Sequence, residues 1–252
     1  KVQWTPTAIL SYRPFDDVDF NLRTFYKRIF RMPTLNDLYY TFIGNIDLEP
    51  EYTNQYNLGF TYTKDFTEIW FRHFEIQADV YYNEVENKIV ATSNFFRWTM
   101  INLGLVEIRG MDLALQTGWK FGNDLYVNVR MNYTYQKAQD FTDKNDEFYG
   151  GQIPYIPWHS GSAVVNAGFR NWEANYSFIY TGERYSSSAN IPVNYQLPWY
   201  TSDFSIARNL PLKKGSMKIT LEVNNIFNQQ YEVVSCYPMP GTNFKAIMKY
   251  EF

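Results

Sequence analysis

The chain contains a single cysteine, Cys236, and this scarcity excludes an internal disulfide framework and any paired-cysteine metal or redox motif. It also lacks an uninterrupted run of about 18 apolar residues, so helical membrane spans are not expected. The net charge of −3 offers no basic stripe, and nucleic acid is therefore not an expected partner. The chain begins at Lys1 without a charged and apolar leader, so we expect that a signal peptide has been removed or lies outside it.

Aromatic residues, in contrast, are abundant: 22 Tyr, 20 Phe and 7 Trp make up 19% of the chain. Within residues 124–136, apolar and polar side chains alternate from Leu125 to Gln136, with one aromatic exception at Tyr126. Alternation of this length predicts a long strand with one apolar and one polar face. Because aromatic girdles line both interfaces of membrane barrels, the composition indicates an all-β fold, a transmembrane antiparallel β-barrel.

Eleven alternating segments are expected along the chain. They cover roughly residues 4–13, 19–31, 52–63, 70–83, 106–120, 124–138, 157–169, 172–184, 198–209, 216–228 and 241–252. Short turns alternate with long loops, one of which is expected at residues 84–105, as at the two ends of an outer-membrane barrel. Because single-chain bacterial barrels use even strand numbers, about 11 strands predict one half of a 22-stranded barrel. A soluble β-sandwich or solenoid is the alternative, which the strand length and aromatic density disfavour.

Six motifs resemble those of TonB-dependent outer-membrane receptors and occur in the order in which that family carries them. They are FRMPTLNDL (30–38), GNIDLEPE (44–51), residues 102–113, IPYIPWH (153–159), NNIFNQQY (224–231) and YPMPG (237–241) with the terminal aromatic residue. The residues that carry the resemblance most clearly are Arg31, Pro33, Asn45, Asp47, Pro50, Glu51, Gly110 and Phe252. We expect Arg31 and Glu51 to pair across the loop between the first two motifs. Asn57 and Trp158 depart from the family pattern at positions that we expect to be structural.

The resemblance implies that residues 1–252 are one barrel domain, the C-terminal half of the 22-stranded barrel of a TonB-dependent receptor, without the plug domain and the N-terminal strands. It implies a receptor, not an enzyme, that imports a scarce, bulky ligand across the outer membrane of a Gram-negative bacterium. Cobalamin ranks slightly ahead of a ferric siderophore on general resemblance. The implied partners are the N-terminal half of the same barrel with its plug, the TonB system through that plug, and outer-membrane lipid; a surface lipoprotein and the barrel-assembly complex are further candidates. In the alternative, the chain is a nicked or folding substrate of the assembly machinery.

Aromatic side chains in the long loops are the candidate ligand contacts, because flat side chains cover a bulky ligand at a small entropic cost. These candidates are Tyr39, Tyr40, Trp98, Tyr149, Tyr155, Tyr185 and Tyr195, with Phe42, Phe95, Phe96 and Trp199 beside them. His73 and His159 are expected near opposite ends of the barrel, so they cannot form one catalytic site, and we expect no cofactor and no resident metal. The acidic residues 140–147 lack the spacing of a known calcium loop and favour a solvated loop tip.

Overall fold

The structure, a computed structural model, describes residues 3–67, 70–94 and 97–252. It has one short helix, α1 (Leu35–Tyr39), and one 3₁₀ turn (Pro192–Asn194). The strands are β1 (Thr7–Tyr12), β2 (Asp19–Arg31), β3 (Glu51–Asp65), β4 (Phe71–Asn94), β5 (Arg97–Phe121), β6 (Leu125–Asp140), β7 (His159–Phe169), β8 (Trp172–Thr181), β9 (Arg184–Tyr185), β10 (Tyr195–Gln196), β11 (Trp199–Pro211), β12 (Ser216–Asn224), β13 (Glu232–Val234), β14 (Tyr237–Pro238) and β15 (Asn243–Glu251). Over these described ranges, no helix has the length and apolar character needed to cross a membrane.

Eleven of the strands form one antiparallel sheet in the order β1-β2-β3-β4-β5-β6-β7-β8-β11-β12-β15. The pairs β9–β10 and β13–β14 are small hairpins inserted in the connections that precede β11 and β15. In this described sheet, β1 and β15 each pair on one side only, so the wall is open. The meander confirms the prediction of eleven antiparallel strands.

The alternation predicted from the sequence gives the wall two chemically different faces. On one face, Leu113 lies opposite Tyr133, and Tyr133 lies opposite Gly161. On the other face, the Thr134 hydroxyl donates to the Asp112 carboxylate at 2.7 Å. Because apolar side chains of a membrane barrel face lipid and polar ones face the interior, we name these the lipid face and the lumen face.

An aromatic cluster surrounds the short β3–β4 and β5–β6 turns. Trp119 lies 4.7 Å from Trp70 and 4.7 Å from Phe71, ring centroid to ring centroid, and Phe121 lies 5.9 Å from Trp70. Aromatic rings are enriched where membrane meets water because they are apolar in body and polar or polarisable at the edge. The cluster therefore marks the end of the lipid face at which the connections between strands are short.

The lumen face contains glycines that make room for large neighbours. A Cβ on Gly110 would lie 2.6 Å from the Tyr135 carbonyl oxygen and would collide with the Tyr81 ring. A Cβ on Gly59 would collide with the carboxylate of Asp79. Gly110, one of the family-motif residues, is thus required by close packing on the wall.

The long loop predicted at residues 84–105 is wrong. β4 and β5 stay paired in one register from Glu84–Glu107 to Asn94–Arg97, with no pair at Asn87 and Gly104, and form one extended hairpin over the described residues. Val85, Val106 and Ile153 are only 2%, 0% and 3% exposed, so a buried apolar cluster supports the hairpin beyond the bilayer. The polar residues of this segment are typical of loops, which is why the sequence predicts one. In the structure Asn87 has a positive φ of 55°, but packing keeps the strands paired on both sides of it.

Several strands are shorter than predicted, and a side-chain turn ends one of them, β12. β12 stops at Asn224, four residues before its predicted end. The next residue, Asn225, has a φ of 50° and is 4% exposed. Its side-chain amide donates to the Gln229 carbonyl at 2.9 Å and accepts from the Gln229 backbone amide at 2.9 Å. This closed turn begins the loop. Asn225, the second of the two adjacent asparagines, therefore has a structural role that does not require a ligand.

Candidate functional site

The first two family motifs are joined by an ionic cluster at the top of β2 and β3. Arg31 pairs with Glu51 at 3.5 Å and with Asp37 at 3.1 Å, which confirms the expected Arg31–Glu51 pair. Glu51 also accepts from the Lys88 ammonium at 3.2 Å and from the Ile89 backbone amide at 3.2 Å. Since Lys88 and Ile89 belong to β4, the cluster ties the motif loop to the extended hairpin.

Polar groups of the loop at residues 32–50 hold it against the β4–β5 hairpin. Asn45 donates to the Met100 carbonyl at 3.0 Å, and its own side-chain oxygen accepts from the Asp47 amide at 3.0 Å. The Pro50 carbonyl accepts a longer bond, 3.5 Å, from Asn87. Pro33 comes directly before Thr34, whose hydroxyl caps α1 in a reciprocal capping box. These motif residues therefore position the loop, as a scaffold does.

Four of the predicted ligand contacts lie next to one another. The rings of Trp98 and Tyr155 are 5.9 Å apart, and those of Tyr185 and Tyr195 are 5.8 Å apart. The Tyr155 amide donates to the Tyr185 carbonyl at 2.8 Å and joins the two pairs. We name Trp98, Tyr155, Tyr185 and Tyr195 the mouth cluster, because it lies at the end of the wall opposite the aromatic cluster around Trp70 and Trp119.

Tyr155 is held in place by local backbone geometry. It has a φ of 60°, between Pro154 and Pro157 of the double-proline motif. The neighbouring Ile153 is buried in the apolar cluster under the hairpin. Burial raises the pKa of the Tyr155 hydroxyl, so the group stays neutral in the physiological range. The cluster thus presents neutral aromatic surface on a constrained loop.

Arg184, which sequence reasoning missed, lies behind the mouth cluster. It is 3% exposed and donates to the Glu232 carbonyl at 3.3 Å. Its guanidinium lies 6.0 Å from the centre of the Trp199 ring, and Trp199 is 4.6 Å from Tyr231. Burial lowers the pKa of Arg184. Arg184 thereby links β9, β11 and β13, and no local pattern in the sequence signals this role.

The other predicted contacts lie apart from the mouth cluster. Tyr149 packs edge-on against Phe141 at 5.2 Å. Tyr39 and Tyr40 lie at the end of α1 and are 67% and 59% exposed. Two further candidates, Phe95 and Phe96, lie outside the described residues.

The two histidines lie far apart in the wall. His73 contacts Asp65 at 2.7 Å beside the β3–β4 turn, while His159 contacts the Tyr133 hydroxyl at 2.8 Å at the start of β7. Their separation agrees with the expectation that they do not share a site.

The acidic loop at residues 140–147 uses its carboxylates locally. Asp140, Asp143 and Asp146 each accept from the backbone amide two residues further on, at 2.8–2.9 Å. Such turns are typical of Asp in loops. Across the residues that the structure describes, no group of three or more His, Cys, Asp or Glu side chains is arranged to hold a metal ion.

Comparison with known proteins identifies the family. Residues 1–226 match the family described as TonB dependent receptor-like, beta-barrel. The chain belongs to this family of TonB-dependent receptors. The match runs from residue 1 to two residues beyond the end of β12, and so covers most of the wall.

Two curated relatives of this TonB-dependent receptor barrel are vitamin B12 transporters named BtuB. The protein from Photobacterium profundum is 25% identical over 232 residues, which cover 88% of this chain and 34% of the relative. The protein from Vibrio vulnificus (strain YJ016) is 26% identical over 253 residues, which cover 96% of this chain and 36% of the relative. The chain therefore spans about a third of the length of the curated relatives it matches.

Solved structures show the same wall. The copper transporter OprC superposes with a TM-score of 0.70 at 14% identity, covering 98% of this chain and 39% of that one. The siderophore receptor PirA from Acinetobacter baumannii gives a TM-score of 0.67 at 16% identity, covering 99% and 41%. At these identities the likeness establishes the fold alone. The likeness agrees with an open wall that forms part of a larger barrel. The family match and the curated relatives, in contrast, are to TonB-dependent receptors and transporters, not to enzymes.

Proposed function

We propose that this chain is part of an outer-membrane receptor of a Gram-negative bacterium that imports a scarce, bulky ligand with energy delivered through TonB. The family match supports the transport class. Cobalamin is the first ligand candidate, since two relatives are named vitamin B12 transporters, and a ferric siderophore is the second, since PirA is named a siderophore receptor.

The mouth cluster is the observation that carries the binding proposal. Its rings come from the hairpin strand β5, the double-proline loop and the β9–β10 hairpin, so three separate elements converge. Aromatic side chains cover a large ligand with little loss of rotamer entropy. Tyr and Trp also dominate binding energy where they are well packed. A bulky ligand with apolar faces is the chemistry that suits such a surface.

The proposed partners follow from the same transport role. They are the N-terminal half of the barrel with its plug, the TonB system through that plug, and outer-membrane lipid around the wall. A surface lipoprotein or the barrel-assembly complex would be additional partners. The comparisons give no support to the alternative that the chain is only a nicked or folding substrate of the assembly machinery.

Calorimetry on the complete receptor tests the function and the site together. Cyanocobalamin, a ferric siderophore, haem and an oligosaccharide are titrated separately, and tight binding of one of the first two is expected. Tyr155→Ala is expected to weaken that binding by about 2 kcal/mol, the scale of an aromatic hot spot. His73→Ala, at the opposite end of the wall, is the control and is expected to bind normally.

Tight binding of the oligosaccharide alone would refute the ligand proposal. If none of the four binds and assembly factors co-purify with the receptor, the assembly alternative replaces the transport role.

A further inference from the structure

Six buried side-chain atoms in the described part of the chain lack a hydrogen-bond partner, and five of them belong to residues between 155 and 199. Those five are the Tyr155 hydroxyl, the Trp158 and Trp199 indole nitrogens, Arg184 Nε and the Ser188 hydroxyl. Buried polar groups in folded proteins nearly always have partners, so an unpaired group indicates a bound water, ion or ligand. Their concentration near the mouth cluster indicates that a partner binds there.

Three of these atoms belong to residues that lie near one another. The Arg184 guanidinium carbon is 6.0 Å from the centre of the Trp199 ring. The Tyr155 backbone amide donates to the carbonyl of Tyr185, the residue after Arg184, at 2.8 Å. Burial raises the pKa of the Tyr155 hydroxyl, and the nearby Arg184 guanidinium opposes that rise. We name Tyr155, Arg184 and Trp199 the donor triad.

The donor triad lacks an acceptor. Arg184 and Trp199 can only donate hydrogen bonds from their side chains, and the Tyr155 hydroxyl can donate one. Arg184 is 3% exposed and donates to a neutral group, the Glu232 carbonyl at 3.3 Å. None of the ion pairs over the described ranges includes Arg184. Because buried charges are normally paired, the partner is an anion, which supplies the missing charge as well as the acceptor; water supplies the acceptor alone.

The β13–β14 hairpin lies against Arg184 and is weakly held. It is joined by two residue pairs with a register shift between them, and its side chains Val233 and Tyr237 are exposed. The Glu232 carboxylate accepts from the Cys236 amide at 2.8 Å inside the hairpin and so does not pair with Arg184. A two-stranded hairpin of this size has little stability of its own. Its displacement therefore opens a path from the mouth to Arg184.

We propose that the donor triad binds an oxyanion group, a phosphate or a carboxylate, of the ligand that the receptor imports. This inference rests on the proposed import function, because the ligand brings the oxyanion. Arg184 supplies the charge, and Trp199 and Tyr155 each supply one donor that orients the oxygens. The mouth cluster covers the apolar part of the same ligand, and the β13–β14 hairpin closes over its acidic group. The imported ligand is therefore an acidic compound.

Calorimetry on the complete receptor with matched pairs of ligands tests the proposal. Cyanocobalamin is compared with dicyanocobinamide, which lacks the phosphate, and a ferric siderophore with a free carboxylate is compared with its methyl ester. The acidic member of one pair is expected to bind about a hundredfold more tightly, the scale for a buried charge partner, and Arg184→Gln is expected to abolish that difference. Arg170→Gln is the control and keeps the difference, since Arg170 pairs with Asp124 on an exposed turn.

Two conservative variants keep the test decisive if a heat-shift gel shows that R184Q does not fold. Trp199→Phe and Tyr155→Phe each remove one donor and retain a ring. Each is expected to weaken binding of the acidic member about tenfold and to leave its neutral analogue unaffected. Equal binding of both members of each pair, or a difference that these variants do not reduce, would overturn the oxyanion site and leave the import function standing.

Inorganic phosphate tests the site without the ligand. At about ten times its dissociation constant, phosphate is expected to slow amide hydrogen exchange of residues 229–240 about tenfold, because opening of the hairpin would release the anion. Sodium chloride at equal ionic strength is the control. Absence of a phosphate effect, as expected if water fills the space, or an equal effect in R184Q would overturn the site. A phosphate effect lost in R184Q, together with failure of every ligand to bind, would support the anion site and refute the import function.

Discussion

Replacing Glu51 by alanine removes the acceptor at the centre of the ionic cluster. Its side chain is 9% exposed and receives bonds from Arg31, Lys88 and the Ile89 amide. Hydrogen bonds to a charged group contribute about 1.5–3 kcal/mol each. The Arg31 side chain, however, is 42% exposed, so water solvates its guanidinium when Glu51 is removed and the cost is smaller. We therefore expect a loss of about 3 kcal/mol, the scale for breaking a buried ion pair.

The loss is local to the hairpin, so amide hydrogen exchange of residues 84–105 in the complete receptor is the appropriate assay. A loss of about 3 kcal/mol corresponds to exchange more than about a hundredfold faster. Asp124→Ala is the control, since Asp124 pairs with Arg170 at 3.3 Å on an exposed turn, where such pairs contribute at most about 1 kcal/mol. Unchanged exchange of the hairpin in Glu51→Ala would refute the structural role of the motif pair.

Three further predictions follow from the wall. Gly110→Val is expected to lower the yield of folded receptor, measured by heat shift on a gel, because its side chain would collide with the Tyr81 ring; a normal yield would contradict the close packing. Deletion of Phe252, whose ring contacts Tyr250 at 4.6 Å, is expected to lower the folded amount in the membrane without changing the affinity of what folds, and normal membrane levels would argue against it. The chain expressed alone is expected to give no compact, heat-shifting band, because β1 and β15 each pair on one side only in the described sheet and would expose backbone to lipid.

Strand alternation was sufficient to predict most of the wall. A period of two is a direct consequence of one face meeting lipid and the other meeting water, so β6 and its neighbours could be recognised from side-chain order alone. The same logic failed above the membrane. Beyond the bilayer neither face meets lipid, and the hairpin is held by the burial of Val85 and Val106 under a loop that is distant in sequence.

The candidate site was predictable only in residue type. Loop aromatics could be named in advance, but the sequence could not show that Trp98 approaches Tyr155 across more than fifty residues while Tyr39 points elsewhere into solvent. Arg184 carried no signal because its partners are a carbonyl and a ring from separate loops. Such contacts depend on how loops fold over one another, which periodicity does not encode.

The lengths of β4 and β5 have a mechanical consequence. They contain 24 and 25 residues, whereas about 9–11 residues suffice for a tilted strand to cross a bilayer. The same two strands run from the aromatic cluster around Trp119, past Asp79 in the lumen, to Trp98 near the other end of the hairpin. They act as a stiff rod, because backbone hydrogen bonds join them over nearly their full length. A displacement of the described part of the hairpin near Trp98 is therefore expected to be passed along the paired strands to Asp79 in the lumen.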